Sequence, residues 1–317
     1  MKLLITGGAG FIGSNFIEYM LEKYPDYEVV DLDALTYAGS LDNLKEVTDN
    51  PRHRFVHGRI EDGELVDRLM PDIDVIVNFA AESHVDRSIV EPQVFIKTNV
   101  MGTQVLLDAA LRHKVKLFYQ ISTDEVYGAL QLDSKERFTE ESQLRPNSPY
   151  SASKTAADLL VWAYHRTYDL PVVISRCSNN YGPRQHPEKF IPTVILNALH
   201  DRRVPIYGDG LYVRDWIHVL DHCRAIETIM HKGRPGEVYN VGADNELANI
   251  DLARRILHIL GKPESLLTSV KDRPGHDRRY AIDSRKLQGE LGWAPSIPFD
   301  DGLTRTVEHY SHSGLRR

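Results

Sequence analysis

Along the first half of the chain the apolar residues fall in short, nearly unbroken runs rather than in alternation with polar ones. The first is Lys2-Leu-Leu-Ile-Thr6, and runs of the same kind recur at 27–32, 54–57, 74–79, 115–121 and 171–175. A strand that is apolar at every position is buried on both faces, as in a parallel sheet covered by helices. Between the runs the spacing becomes helical, at about 11–23, 91–112 and 150–168. In the last of these, Ala156, Leu159, Leu160 and Ala163 make one apolar stripe. Repetition of strand and helix in this way predicts an α/β fold, a Rossmann-type doubly wound parallel sheet.

After about residue 178 the texture changes. Pro, Gly and Asn cluster in "SNNYGPRQHPEKFIP", and helical patterns at 188–200, 219–231, 250–260 and 299–310 lie among short strands such as Glu237–Val241. This reads as a smaller C-terminal α/β substrate lobe, so the chain is expected to divide into 1–178 and 179–317. The ending "HSGLRR" is expected to fray.

Charge and composition narrow the classes. The formal net charge is -7, with acids and bases intermixed, which argues against a nucleic-acid partner. No apolar run approaches the roughly 18 residues of a membrane span. The chain opens directly on a strand, which argues against a signal peptide and for a cytoplasmic protein. The two cysteines, Cys177 and Cys223, have no zinc or redox spacing and read as buried thiols. His218 and His222 are spaced as a helical metal pair, but no acidic ligands accompany them, so no metal is expected.

Two stretches carry the chemistry. "ITGGAGFIG" follows the first strand and opens the first helix, with glycines at Gly7, Gly10 and Gly13. Gly7 permits the tight turn, Gly10 lets backbone approach a pyrophosphate, and Gly13 lets helix and sheet pack closely. Asp33 lies 20 residues beyond Gly13, placed to hold the adenosine ribose hydroxyls, which favours NAD over NADP. Further on, Tyr150 and Lys154 stand four apart in "PYSASK", on one face of a helix. An ammonium beside it lowers a tyrosine pKa, so Tyr150 is a candidate phenolate base.

"QISTDEVYG" then raises a question, because Asp124 and Glu125 follow a core strand with no structural need for two carboxyls. Ligands bind beyond the carboxyl ends of strands in an open α/β sheet. A plain dehydrogenase needs a tyrosine and a hydroxyl donor. A dehydration needs more: one group to take a carbon-bound proton and another to protonate a departing hydroxyl. Neighbouring carboxyls with separated pKa values can divide those roles.

Eight segments in order carry a resemblance: "TGGAGFIGSNF", "DALTYAGSLDNL", "NFAAESHVDRSI", "STDEVYG", "PNSPYSASK", "RCSNNYGPRQHPEKFIP", "PIYGDGLYVRDWIHV" and "RPGHDRRYAID". They span residues 6 to about 283. Over them the chain resembles the nucleoside-diphosphate-sugar 4,6-dehydratases of the extended short-chain dehydrogenase/reductase group, most closely those acting on dTDP-glucose. The resemblance implies oxidation at C4 by Tyr150 and NAD, with Lys154 on the nicotinamide ribose and Thr123 near the 4-OH. It implies C5 proton removal by Glu125, protonation of the 6-OH by Asp124, and return of hydride to C6.

It also implies cofactor contacts from Phe11, Ile12, Arg59, Ile60, Ala80, Ala81, Thr98 and Asn180. Substrate contacts are implied for Ser83, Asn179, Lys189, Phe190, Arg214, Asn249, Arg273 and His276, with Pro205, Ile206 and Tyr207 lining the base pocket. A homodimer through a bundle formed by the helices at 91–112 and 150–168 is implied too. The chain departs from the pattern in three places. Arg59 stands where the family has an Asp on the adenine amino group, and an arginine cannot accept that bond. Phe190 replaces a leucine, and the usual tryptophan-rich ending is missing. Rival readings are a sugar-nucleotide 4-epimerase, a dehydratase of UDP- or GDP-sugars, and a silent NAD-binding module.

Overall fold

The structure, a computed structural model, describes residues 1–312; the end of the "HSGLRR" segment, 313–317, lies outside the described residues. Six of the expected strands form as β1 Lys2–Thr6, β2 Glu28–Asp33, β3 His53–His57, β4 Val75–Asn78, β5 Leu117–Thr123 and β6 Val172–Cys177. They belong to one seven-stranded sheet, and every pairing in it is parallel. Its order is Val238–Val241, β6, β5, β4, β1, β2, β3. The winding direction reverses between β1 and β4, which opens a crevice at the carboxyl ends of those strands. Apolar clusters cover both faces, as the unbroken strand runs require.

The strand Val238–Val241 joins this large sheet beside β6, and the helix Val219–Lys232 packs against Phe11–Lys23. The segment after residue 178 therefore returns one strand and one helix to the first unit. The rest of it makes a lobe with its own apolar core, two small sheets and the helices Phe190–Leu199, Asn249–Ile259 and Phe299–His312.

The helix expected over 91–112 forms without interruption from Pro92 to His113, preceded by a separate short helix and widened in its middle. Val85–Val90 ends at Glu91, Pro92 starts a new turn at Pro92–Phe95, and a wide π-helical stretch, Ile96–Gly102, leads into Thr103–His113. Pro92 separates this helix from Val85–Val90, since proline fits a helix start and not an interior. Wide turns of this sort recur at functional sites. Here it places Thr98 at the crevice, and Asn99 within hydrogen-bond reach of Glu82 and Ser153. The helix Pro149–Tyr168 begins as its sequence asks: Ser148 and Ser151 form a reciprocal cap and Pro149 takes the first position.

Candidate active site

The crevice holds a cavity of about 310 Å³. At one end lies the glycine turn. Gly7 has a φ of +73°, and a Cβ there would sit 2.7 Å from the backbone nitrogen of Ala80. A Cβ on Gly13 would come within 2.4 Å of the Gly7 carbonyl. These glycines thus let the helix start and the strand end approach as closely as a pyrophosphate site needs. Asp33 is buried at the end of β2, where its carboxylate accepts hydrogen bonds from the amides of Ala9 (2.9 Å) and Leu35 (2.7 Å). Phe11, Ile12, Arg59, Ile60, Ala80, Ala81 and Thr98 complete the expected cofactor wall. Arg59 lies 4.0 Å from Glu61, so its charge is partly offset within the wall. A glycine turn at a helix start, an acid at the end of β2 and an open-mouthed cavity lined by both fit a dinucleotide.

The catalytic candidates line the other end. Lys154 is buried and donates to the Ile121 carbonyl at 2.7 Å; burial lowers its pKa, and the charge of Asp158 one turn along opposes that shift. The Tyr150 phenol does not have the lowered pKa that the Tyr-x-x-x-Lys spacing suggests. Burial, and then the charge of Glu125, raise it well above the ordinary value, while a hydrogen bond from Thr123 opposes them. The lysine ammonium is engaged by a backbone carbonyl rather than spent on the phenol.

Asp124 and Glu125 open a tight turn, Asp124–Tyr127, at the end of β5. Asp124 is buried, and burial followed by the neighbouring Glu125 charge raises its pKa well above the usual carboxylate value. Burial also raises that of Glu125, but the cations Arg273, Arg214 and Lys189 pull it down. The two carboxyls therefore have unlike surroundings, the condition for one acid and one base.

Asn179 and Asn180 enter from the strand Asn179–Tyr181. Asn180 donates to the Ser178 carbonyl at 3.0 Å, and its side-chain oxygen lies 2.9 Å from Nδ1 of His222. Burial lowers the His222 pKa to about 3, so a neutral ring donates from Nδ1 and fixes the amide. His218 instead caps the helix Val219–Lys232, accepting from the Leu220 amide. The histidine pair thus has two separate tasks. Among the described residues no group of three His, Cys, Asp or Glu is placed to hold a metal.

Ser83 and Lys189 line the cavity, with Lys189 donating to the Ser83 carbonyl at 2.9 Å. The remaining expected substrate contacts lie outside the cavity lining. Arg214 is buried 4.3 Å over the Tyr280 ring and donates to the Asp277 carbonyl at 2.9 Å. Arg273 pairs with Asp86 at 3.1 Å, and Tyr207 donates to the same carboxylate at 3.2 Å. His276 stacks on Tyr212 with ring centres 3.6 Å apart. Pro205 and Asn249 flank these groups at a strand interior and a helix start. Ile206 and Phe190 pack in or against the apolar core of the lobe. Sequence reasoning missed Glu82, Cys177, Gln185 and His186, which also line the cavity. All four had a readable signal, since Glu82 lies within "NFAAESHVDRSI" and Cys177, Gln185 and His186 within "RCSNNYGPRQHPEKFIP".

The geometry is matched by known proteins. Residues 4–306 fit the family described as GDP-mannose 4,6 dehydratase. The chain belongs to that family. Among curated relatives, the low-salt glycan biosynthesis protein Agl12 of Haloferax volcanii is 55% identical, with 98% of each chain covered. A dTDP-glucose 4,6-dehydratase of Streptomyces antibioticus is 51% identical over 98% of this chain and 92% of its own. The solved structure of DesIV, a dTDP-glucose 4,6-dehydratase from Streptomyces venezuelae with NAD bound, superposes with a TM-score of 0.95 at 51% identity, covering 98% and 97% of the two chains. Family membership agrees with the Rossmann-type sheet and with a glycine turn built for a dinucleotide. No helix among the described residues is long and apolar enough to cross a membrane.

Proposed function

We propose that this chain is an NAD-dependent hydro-lyase that converts dTDP-glucose to its 4-keto-6-deoxy derivative. The observation that carries this reading is the carboxyl pair at the end of β5. Asp124 is enclosed with its pKa well raised, while Glu125 faces three cations. A 4-epimerase of the same fold has no use for this pair, and a silent binding module has no use for Tyr150 and Lys154 as well. The Streptomyces relatives support the dTDP-sugar and the cofactor.

NAD bound along the glycine turn accepts hydride from C4 and returns it to C6, so it is not consumed. Burial raises the Tyr150 pKa; a positive charge beside the ring would lower it, so that the phenol gives its proton to solvent and the phenolate then takes the 4-OH proton. Thr123 shares its hydrogen bond with that phenol, and Lys154 holds the nicotinamide ribose. The new C4 carbonyl acidifies the C5 proton, which Glu125 removes. Asp124, protonated, donates to the departing 6-OH and water leaves. Glu125 then returns its proton to C5.

Ser83, Asn179 and Lys189 hold the sugar and nearby phosphate. Arg214 and Arg273 supply charge for the diphosphate, since an arginine fork suits phosphate. Tyr207, His276 and Asn249 frame the base, with Pro205, Ile206 and Phe190 shaping the wall behind. Residues 1–178 carry cofactor and catalysis, and 179–317 mainly the nucleotide sugar. A second copy covers the apolar side chains exposed on Val85–Val90, Ile96–Gly102 and Pro149–Tyr168, giving a homodimer. The free, buried thiols of Cys177 and Cys223 suit a reducing cytoplasm.

Purified protein incubated with dTDP-glucose and no added cofactor is expected to give a product lighter by one water. Turnover of UDP-glucose but not dTDP-glucose would overturn the nucleotide assignment. An isomer of unchanged mass would overturn the dehydration.

A further inference from the structure

Behind the carboxyl pair and the Tyr150–Lys154 helix runs a buried polar chain that the reaction as described does not use. Its centre is Arg176, near the carboxyl end of β6. The guanidinium Nε donates to Asp158 at 3.0 Å and Nη1 donates to the Tyr127 hydroxyl at 3.0 Å, with side-chain exposures of only 6% for Arg176 and 1% for Asp158. Its carbon Cζ lies 4.9 Å over the Tyr127 ring. The Tyr127 hydroxyl donates onward to Oδ1 of Asn240 at 2.8 Å. Asn240 is itself fixed, donating through its amide to Glu140 at 2.8 Å and through Nδ2 to the Phe138 carbonyl at 3.0 Å.

The two arms of this chain end beside different parts of the chemistry. Asp158 stands four residues after Lys154 on the same helix, so the two share a face. Its charge is the main influence opposing the burial of Lys154. Its second oxygen, Oδ1, is buried without a hydrogen-bond partner among the described residues. Tyr127 closes the short turn that Asp124 and Glu125 open. A buried ion pair is weak evidence of stabilisation, because packed apolar residues often do as well. A planar fork that must reach two fixed acceptors at once is a means of setting position.

We propose that Arg176 is a positioning residue serving both half-reactions: through Asp158 it sets the ammonium of Lys154, and through Tyr127 it sets the turn that carries Asp124 and Glu125. The proposal rests on the dehydratase reading for the names of the steps. It makes the arms separable. Tyr127→Phe deletes one hydroxyl and keeps the ring, so it loosens only the carboxyl turn. Asp158→Asn removes the charge beside Lys154 and leaves the turn in place.

The test follows bound cofactor during single turnover, by the near-ultraviolet absorbance of the reduced nicotinamide, together with product release. Tyr127→Phe is expected to slow elimination by about 10–100-fold, the scale of a small misplacement, with oxidation little changed, so reduced cofactor accumulates. Asp158→Asn is expected to slow cofactor reduction on a similar scale, about 10–100-fold, and to weaken NAD+ binding in a direct titration. Loss of the Asp158 charge lowers the Lys154 pKa further, so the alkaline limb of the oxidation profile moves to lower pH. Equal slowing of both steps in both variants, in step with a loss of melting temperature, would mean that the network only holds the fold. So would unchanged rates in either variant. If the wild type dehydrates no nucleotide sugar, the dehydratase reading fails by itself. The brace is then judged on the NAD+ titration, where an unchanged affinity of Asp158→Asn overturns it.

Discussion

At the residue scale the decisive feature is the unlike treatment of two adjacent carboxyls. Asp124 has its pKa raised in the folded state, so it gives up stability as pH rises. The stability it contributes is fully present below the unfolded carboxylate pKa and is lost on the way up to the folded value, by at most about 1.4 kcal/mol per pH unit. Asp124→Asn keeps the shape of the neutral acid and titrates nowhere. Its melting temperature should therefore exceed that of the wild type by a margin that grows from about pH 4 upward, in scans across pH. A margin that is constant with pH would mean Asp124 is ionised in the fold. Glu125→Gln should keep the fold and bound NAD and lower turnover by about 10²–10⁴-fold, the usual worth of a positioned general base. Deuterium entering C5 from heavy water at the wild-type rate would remove Glu125 from that role. The motif residues at this scale were legible because their chemistry lies in short segments. The residues that hold them were not: His222 meets Asn180 and Asn99 meets Glu82 only through the fold.

Elements repeat the lesson. The six strands of the first half were readable because burial on both faces demands unbroken apolar runs. The run at 237–241 was readable as a strand but not as part of the large sheet, because four residues carry no mark of which edge they join. The helix expected over 91–112 formed from Pro92 to His113, but its wide turn was not readable, because packing of Gly102 on Ile60 and the ties of Asn99 depend on residues distant in sequence. The helices of this region also leave apolar side chains outside. Val90 is 79% exposed, Leu159 54% and Trp162 51%, which is a poor arrangement for a lone molecule. If a second copy covers this face, Trp162→Glu should give a monomer in sedimentation velocity at concentrations where the wild type is a dimer. A wild type that sediments as a monomer would end the homodimer proposal.

On the scale of the whole molecule, the sheet supplies a cofactor crevice at its switch point, and the lobe brings Asn179, Asn180 and Lys189 into its lining. The carboxyl turn on β5 lies where the two meet, so one cavity can serve oxidation, elimination and reduction in sequence. That continuity is the central claim, and an isotope can follow it. dTDP-glucose carrying deuterium at C4 should yield a 4-keto-6-deoxy product with that deuterium at C6 and a solvent hydrogen at C5. Deuterium found again at C4 of an isomerised sugar, or lost to solvent, would contradict a hydride that leaves C4 and returns to C6 within one closed site.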